Sequence, residues 1–196
     1  MATPTITLVT VTPNPSTFGQ SVTLTATVIP LGVGTPTGTV TFTITGGPTL
    51  TGTLSGGTTS VTATGLSVGI HPVVAVYSGD TNFLSSTSAN LIAVVQAATT
   101  TSVVSSPDPS TLGESVTFTA TVTPVGGGGG SPTGTMTFVI GGSGGGTFIQ
   151  PVTAGVATLT LTTLGVGTHP VVAIYGGDTS FLPSSGVDTH TVDPAA

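Results

Sequence analysis

The chain contains no lysine, no arginine, no cysteine and no tryptophan. Each absence removes a class of function. Binding to nucleic acid draws its affinity from cationic side chains that neutralise phosphates, so such a role is excluded in practice. An anionic lipid surface would repel a chain whose six acidic residues give a formal net charge of −6. Without lysine no lysine–asparagine crosslink can form, and trypsin-type proteases find no preferred site. Without cysteine there is neither a disulfide nor thiolate chemistry. No apolar run approaches the ~18 residues of a membrane span. The longest candidate, 89–98, is interrupted by Asn90 and Gln96. Met1 is followed by Ala2, Thr3 and Pro4, with no basic or apolar leader stretch, so no signal peptide is expected. A mature fragment, or release by lysis inside a virus particle, would account for that start.

What is present is said twice. HPVVAVYSGDTNFL, from His71, returns as HPVVAIYGGDTSFL from His169. PNPSTFGQSVTLTATV, from Pro13, returns as PDPSTLGESVTFTATV from Pro107, and TPTGTVTF from Thr35 returns as SPTGTMTF from Ser131. The order is kept at a period of about 95 residues, which marks a tandem duplication of one small domain. The expected domains are 1–97 and 98–196. The link over 96–100 is short and lacks glycine and proline, which predicts two domains end to end with restricted hinge motion.

Apolar residues alternate with threonine, and no stretch has a helical period. Each copy reads as about seven short strands separated by Gly, Pro, Asn, Asp and Ser. In the first copy Val22, Leu24, Ala26 and Val28 form one face of a strand, and Val40, Phe42 and Ile44 another. Val116, Phe118, Ala120 and Val122 repeat the former in the second copy, and Met136, Phe138 and Ile140 the latter. The strand over 71–77 points Val73, Ala75 and Tyr77 inward, matched by Val171, Ala173 and Tyr175. The last strand, near 186–192, is polar and ambiguous in register, and His190 is expected to face solvent. About seven antiparallel strands per copy predict an all-β protein of two tandem immunoglobulin-like β-sandwiches.

The PNPSTFGQSVTLTATV and PTGTVTF segments, the GIHPVVAVYSGDTNF stretch and the serine-rich entry to the last strand resemble the bacterial immunoglobulin-like repeat domain. The resemblance covers nearly the whole chain. It implies tandem modules of bacterial surface proteins and adhesins, or related appendages of phage structural proteins.

The Tyr-x-Gly-Asp segments, 77–80 and 175–178, are the sharpest local signal. One carboxylate per copy cannot meet the six to eight oxygens that Ca²⁺ takes, so no metal site is expected. Gly79 and Gly177 instead allow a tight turn, which Asp80 and Asp178 stabilise by accepting backbone N–H bonds. Ser, His and Asp all occur, yet no Gly-x-Ser-x-Gly elbow precedes a helix and nothing implies a triad within reach. No catalytic residue and no cofactor site is therefore expected. The glycine runs 126–130 and 141–146 lack the lysine and helix of a phosphate loop and read as flexible connections.

The outward positions separate the two sheets. Those on the second and third strands are nearly all threonine. Those on the sixth are Pro72, Val74 and Val76, repeated as Pro170, Val172 and Ile174, and Ile92 and Val94 of the seventh are expected to join them. Val74, Val76, Ile92, Val94, Val172 and Ile174 are thus the candidate interface, for a protein partner or for self-assembly. The alternative is that loops or the neighbouring domain cover the stripe. These features predict a non-enzymatic structural or adhesive module, extracellular, on a bacterial cell surface as part of an adhesin or stalk. A virion decoration or fibre protein is the alternative host. A carbohydrate-binding module is a further alternative, disfavoured because sugar recognition uses exposed aromatic platforms and both tyrosines are assigned to the core.

Overall fold

The computed structural model describes residues 1–126 and 129–195, and every regular element among them is a strand. The chain divides into two compact units, Met1–Val95 and Gln96–Ala196. The first holds β1 (Thr5–Thr12), β2 (Ser16–Thr17), β3 (Val22–Pro30), β4 (Thr39–Ile44), β5 (Thr49–Thr53), β6 (Thr58–Ala63), β7 (Gly69–Tyr77) and β8 (Ser86–Val95). The second repeats the series with β9 (Thr99–Ser106), β10 (Ser110–Thr111), β11 (Val116–Pro124), β12 (Thr135–Ile140), β13 (Gly146–Pro151), β14 (Val156–Leu161), β15 (Gly167–Tyr175) and β16 (Ser184–Asp193). The glycine connection expected over 126–130 includes Gly127 and Gly128, which lie outside the described residues.

Each unit is a two-sheet sandwich. In the first, a three-stranded sheet runs β1-β3-β6 and a five-stranded sheet runs β2-β8-β7-β4-β5. Proline supplies no ladder N–H, so Pro13 and Pro15 end β1, and the chain crosses to the other sheet, where β2 pairs parallel with β8. The second unit has sheets β9-β11-β14 and β10-β16-β15-β12-β13. β-branched Thr and Val suit a pleated surface, and their alternation sends every second side chain inward. Val22, Leu24, Ala26 and Val28 meet Val40, Phe42, Ile44, Val73, Ala75 and Tyr77 in one buried cluster. Phe42 and Phe138 occupy matching sites, paired with Ala75 and Ala173, and both are wholly buried.

The register of the last strand corrects one expectation. Residues directly opposite each other on antiparallel strands share a face. Ile92 is opposite inward-pointing His71, and Val94 opposite Gly69, so Ile92 and Val94 belong to the core and not to the outer face. His190, opposite His169, is wholly buried instead of facing solvent. The alternation misled because the inner positions at the start of β8 are polar. Thr5 Oγ1 and Thr7 Oγ1 each lie 2.7 Å from Ser86 Oγ, and Asn90 Nδ2 donates to Val9 O at 2.7 Å. This hydrogen-bonded seam joins β1 to β8 across the two sheets. β9 and β16 repeat it through Thr99, Thr101 and Ser184. A Cβ on Gly186 would come within 2.5 Å of Thr101 O, which requires glycine there.

Candidate functional site

The outward face of the five-stranded sheet carries a cluster of exposed aliphatic side chains in each unit. In the first unit β7 presents Ile70, Pro72, Val74 and Val76, all exposed, and Val74 and Val76 are each 42% accessible. Beside them β8 contributes Leu91, opposite Pro72, and Ala89, opposite Val74. β4 and β5 complete the face with Thr41, Thr43, Thr49 and Thr51. In the second unit Val139, Val172 and Val187 lie in one row across β12, β15 and β16. Ile149 and Ile174 flank Thr137 in the next row. Ile174 is 42% accessible, whereas Val172 is half-buried. Sequence reading found Val74, Val76, Val172 and Ile174 but missed Ile70, Leu91, Val139, Ile149 and Val187. Their place on this face becomes legible once strand pairing is known.

The turn after β7 is built by Asp80. Its Oδ1 accepts the N–H groups of Asn82 at 2.8 Å and Phe83 at 2.9 Å. Its Oδ2 accepts Thr37 N–H at 2.8 Å and Thr37 Oγ1 at 2.7 Å. Asp178 makes the same four bonds, to Ser180, Phe181 and the N–H and hydroxyl of Thr133. The turn is thereby tied to the Pro-Thr-Gly-Thr segment that leads into the neighbouring strand, a link the spacing alone did not reveal. Gly79 has φ +75, and a Cβ there would meet Phe83 O and Ser85 N at 3.0 Å. Gly177, at φ +79, is equally confined by Phe181 O at 2.9 Å.

These donors set the titration of the carboxylates. The Thr37 hydroxyl, then its N–H, then those of Asn82 and Phe83 hold Asp80 well below the usual carboxylate range, against a smaller opposing effect of burial. For Asp178 burial acts in the raising direction, and the donors from Ser180, Thr133 and Phe181 together outweigh it, so this carboxyl also lies low. The neighbouring tyrosines respond in kind. Burial first, then the Asp80 charge, pushes Tyr77 up, and burial followed by the Asp178 charge pushes Tyr175 up to about 12. Both phenol oxygens are buried outside hydrogen-bond geometry, so the carboxylates act on them chiefly by charge. Neither ring is available as a sugar platform.

The second unit brings together a serine, a histidine and an aspartate that sequence reading left apart. Ser110 Oγ lies 2.9 Å from His190 Nε2, and His190 Nδ1 lies 3.2 Å from Asp108 Oδ1. The Asp108 contact is off the ring N–H direction, because Nδ1 has no partner of hydrogen-bond geometry. Asp108 Oδ1 also accepts the N–H of Thr191 at 3.0 Å. The order hydroxyl, imidazole, carboxylate is that of a hydrolytic relay. Its setting differs, because Ser110 is only 2% exposed and the described residues form no pocket through which a substrate could reach it. Ser110 and His190 form a buried polar link between β10 and β16, with the exposed Asp108 at its edge. In the first unit Asn14, Ser16 and Ile92 hold the matching positions.

Among the described residues no group of three or more His, Asp or Glu side chains is placed to hold a metal ion, and no helix is long and apolar enough to cross a membrane. The family model for the bacterial Ig-like domain (group 3) matches residues 9–96 and again 103–193. Comparison with curated proteins gave no match. Among solved structures the chain is similar to invasin, described as a bacterial integrin-binding protein. The identity is 16% and the TM-score 0.67, over 96% of this chain and 39% of that one. It is also similar to the fibronectin(III)-like modules of CbhA from Clostridium thermocellum, at 20% identity and a TM-score of 0.37, over 96% of this chain and 95% of that one. The adhesin InvE of Yersinia pseudotuberculosis matches at 16% identity and a TM-score of 0.46, over 95% of this chain and 58% of that one. The invasin likeness is one of fold, and the chain spans well under half of that protein.

Proposed function

We propose, for a chain that belongs to the bacterial Ig-like domain (group 3) family along most of its length, that it is a non-enzymatic adhesive or structural module displayed on a cell surface. The observation that carries this reading is the aliphatic face of the five-stranded sheet. A solvated sheet face is ordinarily polar, as the threonines on the outer side of β11 illustrate. The opposite treatment of Val74, Val76, Val172 and Ile174 supports reading this face as a contact surface for a protein partner or a second copy. With no cation and few anions, little charge opposes apolar association. Invasin, the neighbour of similar fold, is a protein-binding protein by its own description.

The test is binding of the full chain to cells of its source, together with sedimentation of the chain alone. Changing Val74 and Val76 together to Thr leaves inward Val73, Ala75 and Tyr77 untouched, so the fold should persist. The reading expects weaker binding or weaker self-association from this variant. If wild type and variant are the same non-associating monomer and bind the cells equally, the face is not an interface.

A further inference from the structure

We propose that His71 and His169 are held as imidazolium cations, each clamped between two backbone carbonyls, so that each domain is tighter in mildly acidic than in alkaline surroundings. This inference is independent of the contact face. It starts from the His-Pro dipeptide that both copies carry. In an antiparallel ladder, directly opposed residues of the hydrogen-bonded kind exchange two N–H···O bonds. Thr45 N donates to Pro72 O at 2.9 Å, but Pro72 has no N–H to return, which leaves Thr45 O without its ladder donor. The ring of His71 fills the gap, with Nδ1 3.0 Å from Thr45 O. Its Nε2 lies 2.8 Å from Ser67 O. The second copy repeats every part. Gly141 N donates to Pro170 O at 2.9 Å, His169 Nδ1 is 2.8 Å from Gly141 O, and His169 Nε2 is 2.7 Å from Gly165 O.

A carbonyl oxygen only accepts. A neutral imidazole has one N–H, so its other nitrogen would point a lone pair at a carbonyl lone pair at hydrogen-bonding distance. Only the doubly protonated ring satisfies both contacts. The residues whose carbonyls accept differ between copies, Thr45 and Ser67 in one and Gly141 and Gly165 in the other, so the clamp depends on backbone geometry rather than on neighbouring side chains. Both rings are buried, at 5% and 1% exposure, and water cannot replace the carbonyls.

The surroundings of the two rings differ. His71 faces Ile92 across the ladder, and the titratable Tyr77 and Asp80 lie at the far end of β7 and beyond it. His169 faces His190, with ring centroids 6.5 Å apart, and Asp108 lies behind His190. Asp188, opposite Val171, is turned to Ser105, whose hydroxyl donates to it at 3.0 Å. His190 turns its Nε2 away to Ser110 Oγ, 2.9 Å distant. The sign of the pH effect follows from linkage. A fold that requires the protonated ring binds protons the unfolded chain releases, so stability is present at lower pH and is lost as pH rises.

The experiment uses the full chain. Nitrogen-15 NMR of the histidine rings at about pH 7 should show hydrogens on both ring nitrogens of His71 and His169, where a free ring is mostly neutral. Thermal melts should move upward as pH is lowered from about 8 to 5, the range in which histidine charge changes. A bare ring nitrogen on His71 or His169 at neutral pH, or a melting temperature that is flat or falls toward pH ~5, overturns the proposal. His71→Asn should remove part of the pH slope, and an unchanged slope in a folded variant also overturns it. If that variant does not fold, the wild-type ring spectra decide alone.

Discussion

The first and second domains share their main turn and their histidine clamp and differ in what packs beneath them. The Asp80 turn and the Asp178 turn make the same four bonds, and the two histidine clamps use matching carbonyls. Beneath them the core departs at one telling place. Ile92 packs in the first domain where His190 bonds Ser110 and approaches Asp108 in the second. The outer face departs too, since Thr43 beside Val74 is replaced by Val139 beside Val172. Turns and ladder gaps must be closed by particular groups, whereas a buried side chain of the right volume has several solutions.

The comparison is broken most severely at the core positions the domains have in common. Phe42→Ala and Phe138→Ala should each cost about 3–5 kcal/mol, read from urea unfolding. A loss below about 1 kcal/mol at either site would mean the two sandwiches do not share a register. Next comes exchange of the position where they differ. Ile92→His places a second imidazole opposite His71, with Asn14 in place of an aspartate, and should cost about 1–3 kcal/mol for an ill-matched buried polar group. The reverse change, His190→Ile, should alter stability by about 1 kcal/mol or less, because Ser110 can turn to a strand carbonyl as Ser16 does to Ala93 O at 3.4 Å.

The shared turns are probed by acid. Both carboxyls lie below the ordinary aspartate range, so their contribution to stability is complete above about pH 4, the unfolded value, and is lost as pH falls through the lower folded one. Melting temperature should therefore drop below that pH. Asp80→Asn with Asp178→Asn should be less stable at neutral pH and should show a shallower acid drop. The smallest stability effect is expected at the outer face, where Val74→Thr with Val76→Thr should stay within about 0.5 kcal/mol of wild type.

Alternation and repetition carry the sandwich and most of its core, because Thr-Val-Thr-Val patterns and Gly-Asp turns are local signals. Phe42, Tyr77 and their counterparts follow directly from them. The last strand does not, since Ser86, Ser88 and Asn90 turn inward to meet β1, and a polar inner face is invisible to a hydrophobic count. That misassigned Ile92, Val94 and His190 together. The histidine clamp depends on contacts between residues 26 and 28 positions apart, and the Ser110–His190 pair on one of 80, which no spacing announces. Val74 and Val76 were legible because their strand alternates cleanly, and Leu91 was not because its strand does not.

The contact face is tested most directly by removing equal apolar surface from opposite sheets of the full chain. One variant carries Val74→Thr and Val76→Thr on the five-stranded sheet. The other carries Ile6→Thr and Leu8→Thr on the outer side of β1, where both residues are comparably exposed. Binding isotherms of wild type and both variants on the source cells should show the first variant weakened and the second unchanged. Equal loss from both, or loss only from Ile6→Thr with Leu8→Thr, would contradict the assignment of contact to the five-stranded sheet.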